Sequence, residues 1–166
     1  MNALETKRLL LRPPMLNDLE DLAAALREPA LLAFLGDEAA TGDGARALIV
    51  RESAACARDG IGLYSVVDPD RGHVVGLCGL RRTDLGGAAT IIALCAIDPD
   101  HRRKGYAAEA LEALRRHAAS GLGIGSLRAL IDPGNSAALG LARKTGLTAR
   151  TEVDADGRSM ILCAAP

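Results

Sequence analysis

The chain has 166 residues, of which 49% are hydrophobic and 25% are charged. This is the composition of a globular protein, and the length suits one hydrophobic core. The formal net charge of −1 argues against a broadly basic nucleic-acid or membrane binder, and the 2 Tyr, 1 Phe and 0 Trp argue against a base-stacking platform.

The four cysteines, Cys56, Cys78, Cys95 and Cys163, form no Cys-x-x-Cys pair, and no His, Cys and Asp set has metal-ligand spacing. They predict buried free thiols in a reducing compartment and no metal site. The first residues lack the apolar core of a signal peptide, and no apolar run reaches the about 20 residues of a membrane span. We therefore expect one cytoplasmic domain over residues 1–166.

The first elements are a strand and a helix. "KRLLLR" (7–12) has strand character and ends at a Pro-Pro pair. Asn17, with Glu20 three residues later, resembles a capping box and predicts the start of a helix. An apolar stripe of leucines and an alanine continues this helix, and Pro29 is predicted to end it.

The middle of the chain predicts a loop, a helix and three strands. "GDEAATGDG" (36–44) is rich in turn residues, and the alanine-rich stretch 45–58 is predicted to be helical. Three apolar segments separated by Gly- and Asp-containing turns are predicted strands: 62–68, 73–81 and 88–97.

The last third predicts two helices, one strand and a hairpin. Apolar residues recur at helical spacing over 107–119, and "SLRALI" (126–131) has strand character. A second helix is predicted over 135–145, because Gly146 is suited to end it. A hairpin is predicted over 148–164, with its turn at Asp156-Gly157. The order β-α-α-β-β-β-α-β-α-β-β predicts a mixed α/β (α+β) domain with one sheet.

The densest basic cluster lies in "DPDHRRKGYAAEAL" (98–111), between a long apolar strand and a helix that begins near Gly105. The first N–H groups of a helix lack intrahelical partners, and the helix dipole makes that end positive. Glycine lets an anion approach the backbone closely. The cluster therefore predicts a site for a diphosphate, whereas a nucleic-acid patch would need further basic residues.

Arg102-x-x-Gly105-x-Ala107 resembles the Arg/Gln-x-x-Gly-x-Gly/Ala motif of the Gcn5-related N-acetyltransferases (GNAT). "ETKRLLLRPPMLNDLEDL", "GLYSVVDPDRGHVVGLCGL" and "DPGNSAALGLARKTGLTA" are similar to the branch that includes ribosomal-protein N-terminal acetyltransferases, so that the resemblance covers nearly the whole chain. It implies a twisted, mostly antiparallel sheet of six or seven strands, splayed in the middle, with helices on both faces.

The resemblance also implies residue roles. In the family, backbone groups at the end of the strand before the motif pair with pantetheine, and the motif binds the pyrophosphate. The coenzyme-binding residues implied here are Cys95, Ala96, Ile97, Arg102, Arg103, Lys104, Gly105, Tyr106, Ala107, Ala108 and Asn135. Asn135 matches the family's coenzyme-contacting Asn and also suits a plain helix cap; both roles can hold together.

The catalytic groups of the family are largely missing. The usual Tyr position is Ala142, the branch's Ser position is Ala138, and neither central strand carries a carboxylate. Ser136 is the remaining candidate for a hydrogen bond to the leaving thiolate, with helix capping as the alternative. Weaker candidates are an acetyl-accepting thiol, a tyrosine, a histidine and loop acids: Cys95, Tyr64, His73, Asp84 and the acids of 36–44.

The resemblance implies an acetyl-CoA-dependent N-acetyltransferase without a metal. The acceptor would be a protein or peptide N-terminus or a small-molecule amine, attacked directly in a ternary complex, in a groove formed by the early helices and the last hairpin. The missing catalytic groups leave open a non-catalytic acyl-CoA-binding sensor or interaction module, and an RNA-associated protein is the third alternative. Neither nucleic acid nor membrane is expected as a partner, and a homodimer is expected by analogy with the fold.

Overall fold

The computed structural model describes residues 3–165. Within this range there are five α-helices: α1 (Leu19–Leu22), α2 (Pro29–Leu35), α3 (Gly42–Asp59), α4 (Tyr106–Gly121) and α5 (Ser136–Lys144). Eight strands are also described: β1 (Leu4–Glu5), β2 (Leu10–Arg12), β3 (Leu63–Asp68), β4 (His73–Leu85), β5 (Ala88–Ile97), β6 (Arg128–Ile131), β7 (Thr148–Ala155) and β8 (Arg158–Ala164). Short 3-10 helices span Leu16–Asp18, Ala25–Arg27, Asp37–Ala40 and Pro99–His101.

The strands form two antiparallel sheets, one in the order β1-β2-β3-β4-β5 and the other in the order β6-β8-β7. β5 and β6 lie beside each other but form no ladder. The predicted mixed α/β class and the predicted splay are therefore confirmed, whereas the predicted single sheet is divided in two, because no ladder joins β5 to β6. The described strands exceed the predicted six or seven, because the segment around Thr6 and Arg8 bends toward α4 and separates β1 from β2.

Hydrophobic clusters cover both faces of the larger sheet. Alternate side chains of β5 enter different clusters: Ala93 and Ile97 face α4 and α5, whereas Ile92 and Leu94 face the early helices. Helices on both faces, as predicted, thus follow from strands that are apolar on both sides.

The early helices differ most from the prediction. Pro29 does not end a helix but begins α2 at its first position, where a missing N–H costs nothing. Asn17 is not a helix cap; it lies inside a 3-10 turn, because the neighbouring Asp18 is drawn inward to Arg12 and Ser65. The predicted loop 36–44 holds a 3-10 helix and the start of α3, whose first turn is capped by Thr41.

Two hairpins depend on residues with positive φ. β4 extends to Leu85, past the predicted end at residue 81, because Gly86 and Gly87 (φ 62° and 85°) form a two-residue turn into β5. The predicted turn at Asp156-Gly157 joins β7 to β8, with φ values of 52° and 79°. The register of the β4–β5 hairpin sets where β5 ends, at the loop that carries the basic cluster.

Candidate active site

The start of α4 carries a cluster of backbone N–H groups without hydrogen-bond acceptors in the described part of the chain, called the donor cluster below. Gly105 is the N-cap with φ 79°, and no side chain caps this helix end. The N–H groups of Gly105, Tyr106, Ala107 and Ala108 donate to no acceptor among residues 3–165, and the first helical bond runs from Glu109 N to Gly105 O. Unpaired N–H groups at the positive end of a helix can bind an anion.

Arg103 and Lys104 are exposed beside these donors and form no ion pair within the described part of the chain. Arg103 has φ 63°, which is uncommon for a residue with a side chain. The loop therefore places two exposed cations beside the unpaired N–H groups of α4.

Arg102 and Tyr106 fix the two ends of the basic loop. The Nε of Arg102 donates to Ile97 O at 3.0 Å, and its Nη2 lies 2.7 Å from Glu28 Oε2, so this guanidinium is engaged within the protein. The hydroxyl of Tyr106 donates to Asp68 Oδ2 at 3.0 Å. This hydrogen bond, with burial, raises the pKa of Tyr106, so the phenol stays protonated and keeps α4 tied to the end of β3.

A cleft of about 630 Å³ opens where β5 and β6 separate. The strands contribute Ala93, Leu94, Cys95, Ala129, Leu130 and Ile131 to its lining. On one face of the sheet the cleft is lined by Leu111 of α4, by Asn135 at the N-cap of α5, and by Ala138, Leu141 and Ala142 of α5. On the other face it is lined by Pro29 and Phe34 of α2 and by Met160 of β8. Residues from both faces of the sheet therefore meet at this gap.

The facing edge of β5 offers backbone groups. Asp98 N donates to Val75 O, toward β4. Since successive N–H groups of a strand point to opposite edges, those of Cys95 and Ile97 point toward the gap, whereas that of Ala96 points to β4. Of the three predicted strand positions, the side chain of Cys95 alone lines the cleft.

The two polar residues predicted at the start of α5 separate in space. Asn135 lines the cleft, and its Oδ1 accepts a hydrogen bond from Ala138 N at 3.1 Å, so capping and a cleft position coexist. Ser136 is exposed and is not part of the cleft lining. Its role as a catalytic group stays a prediction.

The weaker candidates lie apart from the cleft, except for Cys95. Tyr64 is fully buried and donates to Gly60 O, His73 is exposed beside Asp21, and Asp84 accepts from Gly87 N at the β4–β5 turn. Cys95 pairs across the ladder with Cys78, and their hydrogen bond and burial raise the pKa of Cys78.

Sequence reasoning missed the carboxylates of the cleft. Glu28 and Asp132 are its acidic lining residues, and Glu28 is the N-cap of α2 rather than part of a strand. The signal was Pro29: a proline at the first helical position would have placed Glu28 at an N-cap.

Within residues 3–165, no cluster of three or more His, Cys, Asp and Glu side chains could hold a metal ion. No helix in that range is both long enough and apolar enough to cross a membrane.

The splayed sheet, the donor cluster before α4 and a cleft lined from both faces of the sheet define a coenzyme A-type acyltransferase fold. The family described as "Acetyltransferase (GNAT) domain" matches residues 8–148, and the chain belongs to this family of acetyl-CoA-using N-acetyltransferases. The predicted family and enzyme class are thereby confirmed.

Solved structures share the fold. A Bordetella pertussis protein described as a GnaT-family acetyltransferase is 26% identical, with a TM-score of 0.80 over 100% of both chains. RimL, a ribosomal L7/L12 α-N-protein acetyltransferase solved with coenzyme A, is 15% identical (TM-score 0.75; 98% of this chain, 97% of RimL). The ribosomal-protein-S5-alanine acetyltransferase of Vibrio fischeri is 14% identical (TM-score 0.72; 99% and 96%). No curated protein matches the sequence significantly.

Proposed function

We propose that the protein transfers an acetyl group from acetyl-CoA to an amine by direct attack in a ternary complex. The observation that carries this proposal is the cleft between β5 and β6, which residues from both faces of the sheet line and to which α4, the helix that begins with the donor cluster, contributes Leu111. Donor and acceptor can then occupy opposite faces at the same time, so that no acyl-enzyme is required.

The residues of the loop and β5 would bind the donor. The N–H groups of Gly105–Ala108 would hold the diphosphate, with Arg103 and Lys104 supplying positive charge. The open edge of β5 at Cys95 and Ile97 would pair with the pantetheine amides, and the side-chain amide of Asn135 would donate from α5. Arg102 would act by shaping the loop, since its guanidinium already bonds Ile97 O and Glu28.

In the transfer step the neutral amine attacks the thioester carbonyl; the new C–N bond forms, the C–S bond breaks, and one proton leaves the nitrogen while the thiolate is protonated. Glu28 is the carboxylate on the acceptor face of the cleft, so we propose that it binds the incoming amine. Ser136 would need to turn inward to reach the sulfur. Positioning and a water-relayed proton are therefore the main proposed contributions to the rate.

The acceptor half of the cleft suits an amine with an apolar neighbour. It combines the carboxylate of Glu28 with Phe34 and Met160. Arg158 lies over the Phe34 ring and donates to Ala33 O, so this basic residue is engaged within the protein. A peptide or protein N-terminus and a small-molecule amine both satisfy this chemistry, and the similarity to ribosomal-protein acetyltransferases supports testing N-termini first.

We also propose that residues 1–166 act as one domain, because the hydrophobic clusters on the two faces share the strands of one sheet. The four free thiols fit a cytoplasmic location. A homodimer remains an expectation from the fold.

The test is turnover with acetyl-CoA against a panel of N-terminal peptides and small amines, read as acetylated product by mass spectrometry. Mass detection avoids thiol-reactive dyes, which the four free cysteines would also consume. The proposal predicts product with at least one acceptor class, absent without enzyme. Tight binding of acetyl-CoA with no product across the panel would instead favour an acyl-CoA sensor.

A further inference from the structure

The segment before β2 holds the first turn of α4. The Oγ1 of Thr6 donates to Glu109 Oε1 at 2.6 Å, and the backbone N of Arg8 donates to the same oxygen at 2.8 Å. The Nε of Arg8 donates to Glu109 Oε2 at 2.7 Å. These contacts join residues about a hundred positions apart in sequence, so they fix where the helix begins relative to the N-terminal strands.

The same guanidinium reaches the backbone of the anion loop. The Nη1 of Arg8 donates to Lys104 O at 2.7 Å, and its guanidinium carbon lies 4.8 Å from the centroid of the Tyr106 ring. A Cβ added to Gly105 would lie 3.3 Å from Arg8 Nη2. Arg8 therefore contacts the loop on both sides of Gly105, where the unpaired N–H groups begin.

Arg8 also compensates a charge that would oppose an anion. Burial raises the pKa of Glu109, but hydrogen bonds from Thr6 and Arg8 outweigh burial and leave that pKa lowered, so the carboxylate is ionised. An uncompensated carboxylate in the first turn of α4 would repel a diphosphate at the same helix end. The ion pair between Arg8 and Glu109 cancels this repulsion.

We propose that Arg8 is a positioning residue for the diphosphate-binding loop. It fixes the carbonyl of Lys104 so that the following N–H groups converge, and it neutralises Glu109. The inference rests on the proposed function, because it presumes acetyl-CoA as the donor. N–H groups that are already held in place bind an anion more tightly than N–H groups that must be ordered on binding. The expected effect of Arg8 is therefore on the affinity for the coenzyme.

The test compares two acetyl donors in Arg8→Met, Arg8→Lys and wild type. Acetyl-CoA carries the diphosphate, whereas S-acetylpantetheine has the same thioester arm without it. In Arg8→Met we expect the Kd for acetyl-CoA to rise about ten- to a hundredfold, as for loss of charged hydrogen bonds. The KM for S-acetylpantetheine should not change.

Arg115→Met is the matched control, because Arg115 pairs with Glu112 on the same helix away from the loop.

Arg8→Lys covers the case in which Arg8→Met does not fold. It keeps a positive charge near Glu109 but cannot contact Lys104 O and, through two further nitrogens, Glu109 Oε2 at the same time, so its Kd should lie between those of wild type and Arg8→Met. An unchanged Kd for acetyl-CoA in the folded variants, or an equal loss with both donors, would overturn the inference. A wild-type protein that binds no acetyl-CoA would instead overturn the proposed function.

Discussion

The Nη2 of Arg102 lies 2.7 Å from Oε2 of Glu28, so the first residue of the basic loop before α4 is paired with the N-cap residue of α2. The Nε of the same guanidinium bonds Ile97 O at the end of β5. One arginine thereby connects the proposed donor and acceptor halves of the cleft. The predictions below test the two halves separately.

Replacing Glu28 tests the acceptor half. In Glu28→Gln we expect kcat/KM for the amine to fall about tenfold, from loss of one charged contact. The Kd for acetyl-CoA should stay close to that of wild type, because the Gln oxygen can still accept the hydrogen bond of Arg102. Steady-state kinetics with each substrate varied in turn measures both. Glu20→Gln is the control, because Glu20 is exposed and does not line the cleft. A loss confined to acetyl-CoA binding would show that Glu28 serves only to hold Arg102.

Replacing Gly105 tests the donor half. Gly105→Glu places a carboxylate where the four N–H groups converge, at a backbone φ of 79° that side chains rarely adopt. We expect acetyl-CoA binding to be lost while the protein remains folded. Gly157→Glu is a matched control, because Gly157 has the same φ of 79° in the β7–β8 turn, with open space around it. Tight coenzyme binding by Gly105→Glu would rule out this loop as the diphosphate site.

The helix-capping role and the proposed coenzyme-binding role of Asn135 can be tested separately. Asn135→Ser keeps a side-chain acceptor for Ala138 N but removes the amide donor, so coenzyme affinity should fall without a change in thermal stability. Asn135→Ala should lose affinity and also about 1 kcal/mol of stability. Calorimetric binding and thermal unfolding of both variants distinguish these outcomes. If Asn135→Ser binds like wild type, Asn135 is only a helix cap.

Asp18 is a stability determinant outside the site. It is 3% exposed and accepts hydrogen bonds from Arg12, Met15 N and Ser65. Asp18→Ala leaves the Arg12 guanidinium without its partner, and we expect a loss of about 3–5 kcal/mol in the free energy of unfolding. Asp43→Ala, an exposed residue in the first turn of α3, should change stability far less. Urea unfolding measures both.

Asp18 also predicts part of the acid sensitivity. Burial raises its pKa, but hydrogen bonds from Arg12, Met15 and Ser65 outweigh burial and leave it lowered. Since the unfolded pKa is about 3.9, the ionised group stabilises the fold above about pH 4, and this contribution is lost as pH falls through the lower folded pKa. Asp18→Asn should therefore show a flatter decline of stability in acid. An identical acid profile would contradict this assignment.

The parts of the fold predicted well were those with local signals. The bounds of β5 follow from an apolar run between a Gly-Gly turn and an Asp-Pro turn, and the start of α4 follows from Gly105. The early helices failed because Pro29 is compatible with either a helix end or a helix start, and only packing decides between them.

The backbone geometry of the candidate site could be predicted from the sequence, whereas the contacts between residues distant in sequence could not. The unpaired N–H groups of Gly105–Ala108 are a property of any α-helix start. The pairing of Arg102 with Glu28 spans 74 positions, and that of Arg8 Nε with Glu109 spans 101, so no local pattern could reveal them.

The most direct test of the central claim is a calorimetric titration of the purified protein with acetyl-CoA, beside Gly105→Glu. The account predicts binding in the micromolar range, about −8 kcal/mol, for wild type and none for the variant. No heat with wild type up to millimolar ligand, at two temperatures, would contradict the claim that this fold uses acetyl-CoA.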